Sequence, residues 1–335
     1  MSALTENAKK ERDDAASAPF LRIDVRRLQQ RARQAGSALI AVFWMIAILG
    51  LVIYAGAKAL EADSRYARQM RGRTYAKRLA QMGLEIGRHP ALPEHDPLLH
   101  YMSPEGGTYD VRIVAEEARL NINVLLEADD KVLLPRLFAS WGLKAEASSA
   151  LRDALRDWVD ADSHVSLNGA EKRDYEKAGL EGMPFNRPFK EIEEMLMVRG
   201  MSEVNVLRPD WREWFTVYGD GRVDVNDARA ELIALLANVP LERVQPLVTL
   251  RLGQDGVPRT QDDVKLTSVP QVAQLLGVFQ PHIVEQLTQW IQFNGPIRRI
   301  ESVGEFGDIQ RRLVLITQNQ QALWRGEIPS HGQDS

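Results

Sequence analysis

The stretch Ser37–Ala57, SALIAVFWMIAILGLVIYAGA, decides how this chain is organised. It contains no acidic or basic side chain, and residues 40–53 are almost entirely apolar. Roughly 20 consecutive apolar residues suffice for a helix to cross the hydrocarbon core of a bilayer. The sequence therefore predicts one transmembrane helix over residues 37–57.

Two other interpretations of this stretch are a cleaved secretory signal peptide and a helix buried in a globular core. A signal peptide usually has an apolar run of only about 7–15 residues. An apolar stretch inside a soluble core is also commonly shorter than this uncharged run. The length of the run and of its leader favours a signal anchor or a prepilin-type segment.

A basic leader precedes the apolar stretch, and an amphipathic segment follows it. Residues 1–36 carry eight basic side chains against five acidic ones. The positive-inside rule therefore predicts a cytoplasmic N-terminus and a C-terminal body on the other side of the membrane. In residues 58–88, apolar side chains recur at three- and four-residue steps, which is typical of an amphipathic helix. The helix is predicted to continue until Pro90 stops it.

The body of the chain begins and ends with strand patterns. Apolar and polar residues alternate near both of its ends, and the residues between have mostly helical periodicity. This order predicts an α+β fold in which a helical insertion separates the strands of one head. The predicted parts are a leader (1–36), a transmembrane helix (37–57), its continuation (58–88), the α+β head (89–124 and 295–326), the insertion (125–294) and a polar tail (327–335).

Composition excludes several classes of function. The formal net charge of -4 argues against a general nucleic-acid binder, whose affinity rests on neutralising phosphates. The chain has no cysteine, so disulfides, thiolate metal sites and thiol nucleophiles are excluded. No HExxH pair, GxSxG turn or phosphate-binding P-loop is present. The sequence therefore predicts a protein that is not an enzyme.

Four segments stand out in the body of the chain: Glu116–Asn123, Asp157–Asp162 with Asn168–Glu171 and Tyr175, Asn186–Pro188 with Glu194 and Val198–Met201, and Tyr218–Asn226. In the same order, they resemble segments of a known family, the K-class minor pseudopilins of type II secretion systems (the GspK family). Each motif is short, but together they are specific. The family pairs an acidic-to-Leu-Asn-x-Asn strand with an Asp-Trp-x-Asp-x-Asp loop and a Gly-x-Asn-Val-Asn turn.

The resemblance extends to the start of the apolar helix. The junction between Gly36 and Ser37 resembles a prepilin peptidase site, which implies cleavage after Gly36 and methylation of the new N-terminus. Most pilins carry glutamate at the fifth mature position, whereas this chain has Ala41. K-class members commonly lack that glutamate, so Ala41 fits the resemblance.

The family implies a fold, a place and a set of partners. The fold is type IV pilin-like, with a long N-terminal helix, an antiparallel sheet and a large, mostly α-helical insertion. The place is the tip of the pseudopilus, anchored in the inner membrane with the body in the periplasm. The implied partners are the I-class and J-class minor pseudopilins, other pseudopilins and the prepilin peptidase, without nucleic acid.

An acidic loop is the candidate metal site. Its carboxylates fall within a short span and offer the hard oxygen ligands that Ca²⁺ takes in flexible geometry. The spacing does not match an EF-hand, and a solvated acidic loop is the alternative interpretation. The resemblance favours calcium, because K-class proteins bind it in this region. The candidate ligands are Asp157, Asp160, Asp162, Glu171 and Asp174.

A second function remains open, a membrane-anchored DNA receptor of the competence type. Residues 192–201 resemble half of a helix-hairpin-helix module, residues 224–236 resemble the entry to another, and residues 266–278 are partly similar. Such modules bind DNA through backbone amides near basic residues. Acidic side chains surround the first segment, so phosphate would be repelled there. A structural helix pair is the favoured interpretation.

Overall fold

The structure, a computed structural model, describes residues 25–328 of the chain, with side chains from Leu39 onward. The chain divides into two compact units, one ending at Gln69 and the other beginning at Met70. The predicted leader lies largely outside the described residues, as does the end of the polar tail.

One long helix, α1, covers Val25–Gly87. Between Leu39 and Tyr54 its large apolar side chains are exposed. Among the residues that the structure describes, this is the one helix long and apolar enough to cross a membrane. From Ala76 onward, one side of the helix becomes buried, as the amphipathic pattern predicted. The helix ends at Gly87, shortly before Pro90.

The head is a five-stranded antiparallel sheet. Its strand order is β1-β2-β7-β8-β9, so two strands from before the helical region pair with three from after it. The predicted α+β fold is confirmed. The strands are β1 (His100–Met102), β2 (Thr108–Ala115), β7 (Ile297–Phe306), β8 (Ile309–Gln318) and β9 (Gln321–Ile328).

The C-terminal part of α1 packs on one face of this sheet at very short range. A Cβ on Gly304 of β7 would lie 2.5 Å from the backbone nitrogen of Ala80. A Cβ on Gly87 would lie 2.8 Å from methyl groups of Val111 and Ile300. Glycines on both α1 and β7 therefore let the backbone of the helix approach the strands. The core between them contains Leu79, Ala80, Leu84, Leu99, Tyr109, Val111, Ile113, Ile300, Leu313 and Leu315.

The region between β2 and β7 is mostly helical. It also contains two short parallel strand pairs, β3 (Leu120–Asn121) with β4 (Phe215–Thr216) and β5 (Val223–Asp224) with β6 (Ile291–Gln292). Its helices are α2 (Ile122–Glu127), α3 (Leu133–Ser140), α4 (Ala145–Val159), α5 (Lys172–Lys177), α6 (Met201–Leu207), α7 (Ala230–Ala237), α8 (Gln245–Arg251), α9 (Val269–Leu276) and α10 (Pro281–Trp290).

A separate hydrophobic core holds this helical region together. Its largest fully buried side chains are aromatic, namely Trp158, Trp211, Phe138 and Phe215. Phe138 and Trp141 meet edge to face with ring centroids 5.7 Å apart. Trp211 and Trp214 are buried and have a packing role.

A buried carboxylate, Glu117, marks the point where the sheet meets the helical region. It lies in the 3₁₀ turn Glu116–Ala118, and its Oε1 accepts a hydrogen bond of 3.1 Å from the backbone N–H of Ile297. Its Oε2 is buried without a hydrogen-bond partner. Burial, reinforced by the charge of Asp224 and opposed by two backbone hydrogen bonds, raises the pKa of Glu117 to about 7.

Because this pKa is higher in the folded chain than in the unfolded chain, Glu117 favours folding only while it is protonated. Its contribution is complete below the ordinary pKa of 4.5 and is lost as the pH rises to about 7. Above that pH the folded chain carries a buried negative charge with one unpartnered oxygen.

Replacing Glu117 with glutamine should therefore stabilise the protein at pH 8 but much less at pH 5. The introduced amide keeps an oxygen for the Ile297 N–H and removes the charge; the expected gain at pH 8 is about 1–3 kcal/mol. Thermal unfolding at the two pH values measures it. Glu116→Gln is the matched control and should destabilise at both, since Glu116 is ion-paired with Arg299 at 3.3 Å. An equal shift for Glu117→Gln at both pH values would contradict the assignment.

Candidate functional site

The acidic loop follows the C-terminal end of α4. Asp157, in the last turn of the helix, is fully buried, and both its carboxylate oxygens accept from the backbone N–H of Ser166 at 3.2 and 3.1 Å. Gly169 packs directly against this carboxylate, where any Cβ would collide with it. Burial raises the pKa of Asp157, and hydrogen bonds from Ser166 and Ala170 oppose the shift. Asp157 thus closes the loop back on its own helix.

Asp160 and Glu171 each have an oxygen without a donor. Asp160 Oδ1 and Glu171 Oε1 are buried and make no hydrogen bond. Burial raises the pKa of Asp160, with the charges of Asp162 and Asp157 adding to the effect. Burial likewise raises the pKa of Glu171, together with the charges of Asp157, Asp160 and Asp162. These carboxylates therefore share one electrostatic environment.

The other two predicted ligands have separate local roles. Asp162 is exposed, and its Oδ1 accepts from the backbone N–H of His164 at 2.7 Å. Its pKa is lowered by that bond and by the His164 ring. Asp174 accepts from the backbone N–H of Glu171 at 3.3 Å and completes a capping box at the start of α5. This box is the reason that a short helix forms where the sequence indicated only a loop.

Sequence reasoning missed one residue of this region, Asn186. Its Oδ1 is also buried without a partner, while its Nδ2 donates to the backbone carbonyl of Asp162 at 2.9 Å. Its φ of 48° lies in the left-handed region, which asparagine tolerates better than most residues. Among the residues that the structure describes, no three acidic or histidine side chains lie close enough to form a ready-made metal group.

The asparagines of the family-like motifs join segments that are far apart in the sequence through side-chain hydrogen bonds to the backbone. Asn123 exchanges two hydrogen bonds with the backbone of Phe189, of 2.9 and 2.8 Å. Asn121 caps α2 and donates to the carbonyls of Tyr218 and Gly219. Asn226 bonds to Leu266 through both its oxygen and its nitrogen. The motifs thus hold irregular backbone in place, because a buried peptide group needs a partner.

The first helix-hairpin-helix-like segment packs into the core. A 3₁₀ turn, Ile192–Met197, leads through Gly200, whose φ is 97°, into α6. Met195, Val198, Met201 and Val204 are all buried there. The carboxylate of Glu194 is 3.0 Å from the guanidinium of Arg187. This arrangement is a helix pair that stabilises the region around the acidic loop.

Gly36 and Ser37 lie on the helical backbone of α1, in the stretch whose side chains are outside the described part. Cleavage between them stays a prediction from the sequence.

Comparisons with known proteins agree on one family. Residues 118–209 match the family model for the first domain of "Type II secretion system (T2SS), protein K". Type II secretion system protein K of Pseudomonas aeruginosa is 25% identical over 264 residues, which cover 70% of this chain and 77% of the relative. The protein of the same name from Klebsiella pneumoniae is 24% identical over 191 residues, covering 50% of this chain and 59% of the relative.

A solved structure has the same fold. It is a chain of the GspK-GspI-GspJ complex from the type 2 secretion system of enterotoxigenic Escherichia coli, with a TM-score of 0.57 and 17% sequence identity. The similarity covers 81% of this chain and 99% of that chain. The predicted pilin-like fold with a helical insertion is confirmed. Residues 118–209 are therefore similar to the first domain of the type II secretion K proteins, and the resemblance of this chain to the K-class pseudopilin family is confirmed.

Proposed function

We propose that this chain is a minor pseudopilin that sits at the tip of a type II secretion pseudopilus and supports protein export across the outer membrane. The observation that carries the proposal is the K-protein domain on a chain whose N-terminal helix exposes a continuous apolar surface between Leu39 and Tyr54. The similar solved chain comes from a complex with GspI and GspJ. We therefore infer that the I- and J-class subunits are the partners here.

The proposed role is mechanical rather than catalytic. The basic leader orients the precursor in the inner membrane, with the body in the periplasm. After cleavage behind Gly36, the apolar helix leaves the bilayer sideways and packs among the helices of neighbouring pseudopilins. A subunit at the tip has no neighbour above it, so the carboxylate that most pilins carry is dispensable at Ala41. The bulky helical region then caps the assembly.

We further propose that a calcium ion orders the acidic loop. The support is a set of buried oxygens without donors, on Asp160, Glu171 and Asn186, since Ca²⁺ binds carboxylate and amide oxygens. These residues, with Asp162 beside them, would hold the ion. Bound calcium would neutralise carboxylates whose pKa values burial raises. The ligand chemistry fits, although the described carboxylates do not form a preorganised group.

Assembly tests the proposed function directly. The full chain in detergent, mixed with I- and J-class subunits, should form a stable ternary complex and should not retain duplex DNA. Leu60 is 69% exposed on α1, and Leu60→Glu should weaken the complex by placing a charge between packed helices. Val206→Glu is the matched control, at a residue 77% exposed on α6, and should leave it intact. Salt-sensitive DNA binding without a ternary complex would favour the DNA receptor instead.

Processing of the leader is tested by mass spectrometry. Co-expression with a prepilin peptidase should remove residues 1–36 and leave Ser37 as the methylated N-terminus. Gly36→Val should block cleavage, because a β-branched side chain replaces the small residue at the predicted junction. Gly50→Val is the control, as Gly50 lies on the same helix with open space around it, and it should be processed normally. Cleavage of Gly36→Val after residue 36 would refute this site.

Calcium binding is tested by thermal unfolding in calcium and in chelator. Calcium should raise the melting temperature of the wild type, because a ligand that binds only the folded state stabilises it. Asp160→Asn combined with Glu171→Gln should abolish most of that rise without lowering the melting temperature in chelator. Glu181→Gln, at an exposed carboxylate just beyond α5, should keep the full rise. A wild type that unfolds at one temperature in both buffers would contradict the proposal.

A further inference from the structure

A polar cleft of about 450 Å³ lies on the face of the sheet opposite α1. The floor is formed by alternate residues of β2, β7 and β8, which share one face because side chains alternate along a strand. Asp110, Val303 and Arg312 form one row across the three strands, and Arg112 and Glu301 are partners in the next. The opposite wall comes from the helical region. It contributes Ala118, Arg119, Glu213, Asp227, Arg229 and Arg259.

The carboxylates of this cleft are already engaged. Asp110 pairs with His100 at 2.5 Å, and Asp227 accepts a 2.7 Å hydrogen bond from the backbone N–H of Ala115. Glu213 pairs with Arg229. Glu301 is held by Arg299 at 2.5 Å.

Two arginines beside the cleft, Arg119 and Arg299, are ion-paired with carboxylates. Arg119 has Glu116 and Glu301 within 3.5 and 3.7 Å. Burial opposes ionisation of Glu301, but Arg299 and Arg119 lower its pKa to about 2, so it stays negatively charged. These charges hold the sheet against the helical region.

Three further arginines of the cleft lack such partners. Among the side chains described between residues 39 and 328, no carboxylate pairs with Arg112, Arg259 or Arg312, and their guanidinium groups make no hydrogen bond. Burial, followed by the positive charge of Arg112, lowers the pKa of Arg259, and the charges of Asp110, Asp227 and Glu94 oppose the shift. Arg112 and Arg259 therefore lie close together, near carboxylates with which Arg259 forms no ion pair. Arg112 is exposed and the other two are half-buried, which leaves all three accessible.

We propose that this cleft binds an extended acidic segment of another protein, whose carboxylates bind to Arg112, Arg259 and Arg312. A guanidinium group matches a carboxylate with two parallel hydrogen bonds. The cleft volume falls in the usual range for binding sites. The inference goes beyond the proposed function, because assembly with other pseudopilins does not depend on it.

The mixture of arginines and carboxylates in the cleft favours a peptide over a polyphosphate as the ligand. The cleft carries five arginines but also four carboxylates. A densely charged polyphosphate would be repelled by those carboxylates. A peptide with spaced acidic side chains can place them on the free arginines and point its backbone N–H groups at the acceptors. Val303, which is half-buried on β7, adds apolar surface for one of its remaining side chains.

A fluorescently labelled peptide, acetyl-Ala-Glu-Ala-Glu-Ala-amide, tests the proposal on the full chain in detergent. Its two glutamates lie on one side when the peptide is extended. Fluorescence polarisation should report saturable binding that weakens as salt increases. The same peptide with glutamine in place of glutamate should not bind. Equal binding of both peptides would overturn the proposal.

Variants locate the binding to the cleft. Arg112→Gln combined with Arg312→Gln should weaken peptide binding about tenfold or more, since two charge-assisted contacts are lost. The melting temperature should stay close to that of the wild type, because neither arginine has an ion pair to lose. Arg243→Gln is the matched control, at an exposed arginine of the helical region outside the cleft, and should bind as the wild type does.

Two outcomes would refute the assignment. Unchanged affinity in the double variant would place the peptide elsewhere on the molecule. Inorganic triphosphate that displaces the peptide at comparable or lower concentration would show a general anion site rather than an acidic-peptide site.

Discussion

The close approach of α1 to the sheet is the contact on which the rest of the body depends. Gly304 lies against the backbone of α1 at Ala76 and Ala80, where no side chain can be accommodated. Gly83 and Gly87 bring the helix equally near to Val111. Small residues at such a contact allow dispersion forces to act along the whole length of the packed surface. The part of α1 from Met70 onward is thereby packed on the head.

The helical region is attached to this head through a few buried polar groups. Glu116 binds Thr216 of the helical region at 2.6 Å and Arg299 of the sheet at 3.3 Å. Glu117 accepts a hydrogen bond from the backbone at the start of β7. The asparagines of the family-like motifs form hydrogen bonds with the backbone of the adjoining loops. Buried polar groups are costly unless each is satisfied. The asparagines of the family-like motifs therefore serve the hydrogen-bonding needs of the backbone at this junction.

Much of the architecture followed from periodicity. The uncharged run indicated the membrane helix, the three- and four-residue steps indicated its amphipathic continuation, and the alternation near the C-terminus indicated β7, β8 and β9 within a few residues. The short helix α5 was missed, because it has only six residues and its polar composition resembles that of a loop. Sequence grouped the acidic residues of one loop as candidate ligands, and only the structure shows that Glu171 and Asp174 together form the capping box of α5.

Sequence by itself determined which segments are apolar enough for a membrane, which form strands and which family they resemble, because each of these depends on residues near one another in the chain. Only the tertiary structure decided which charged side chains are left without an ion-pair partner. The pKa of Glu117 depends on its burial beside Asp224, and Arg112 and Arg259 meet only after the helical region folds back on the sheet. Burial and charge pairing are properties of three-dimensional neighbours, and residues far apart in sequence become neighbours only through packing.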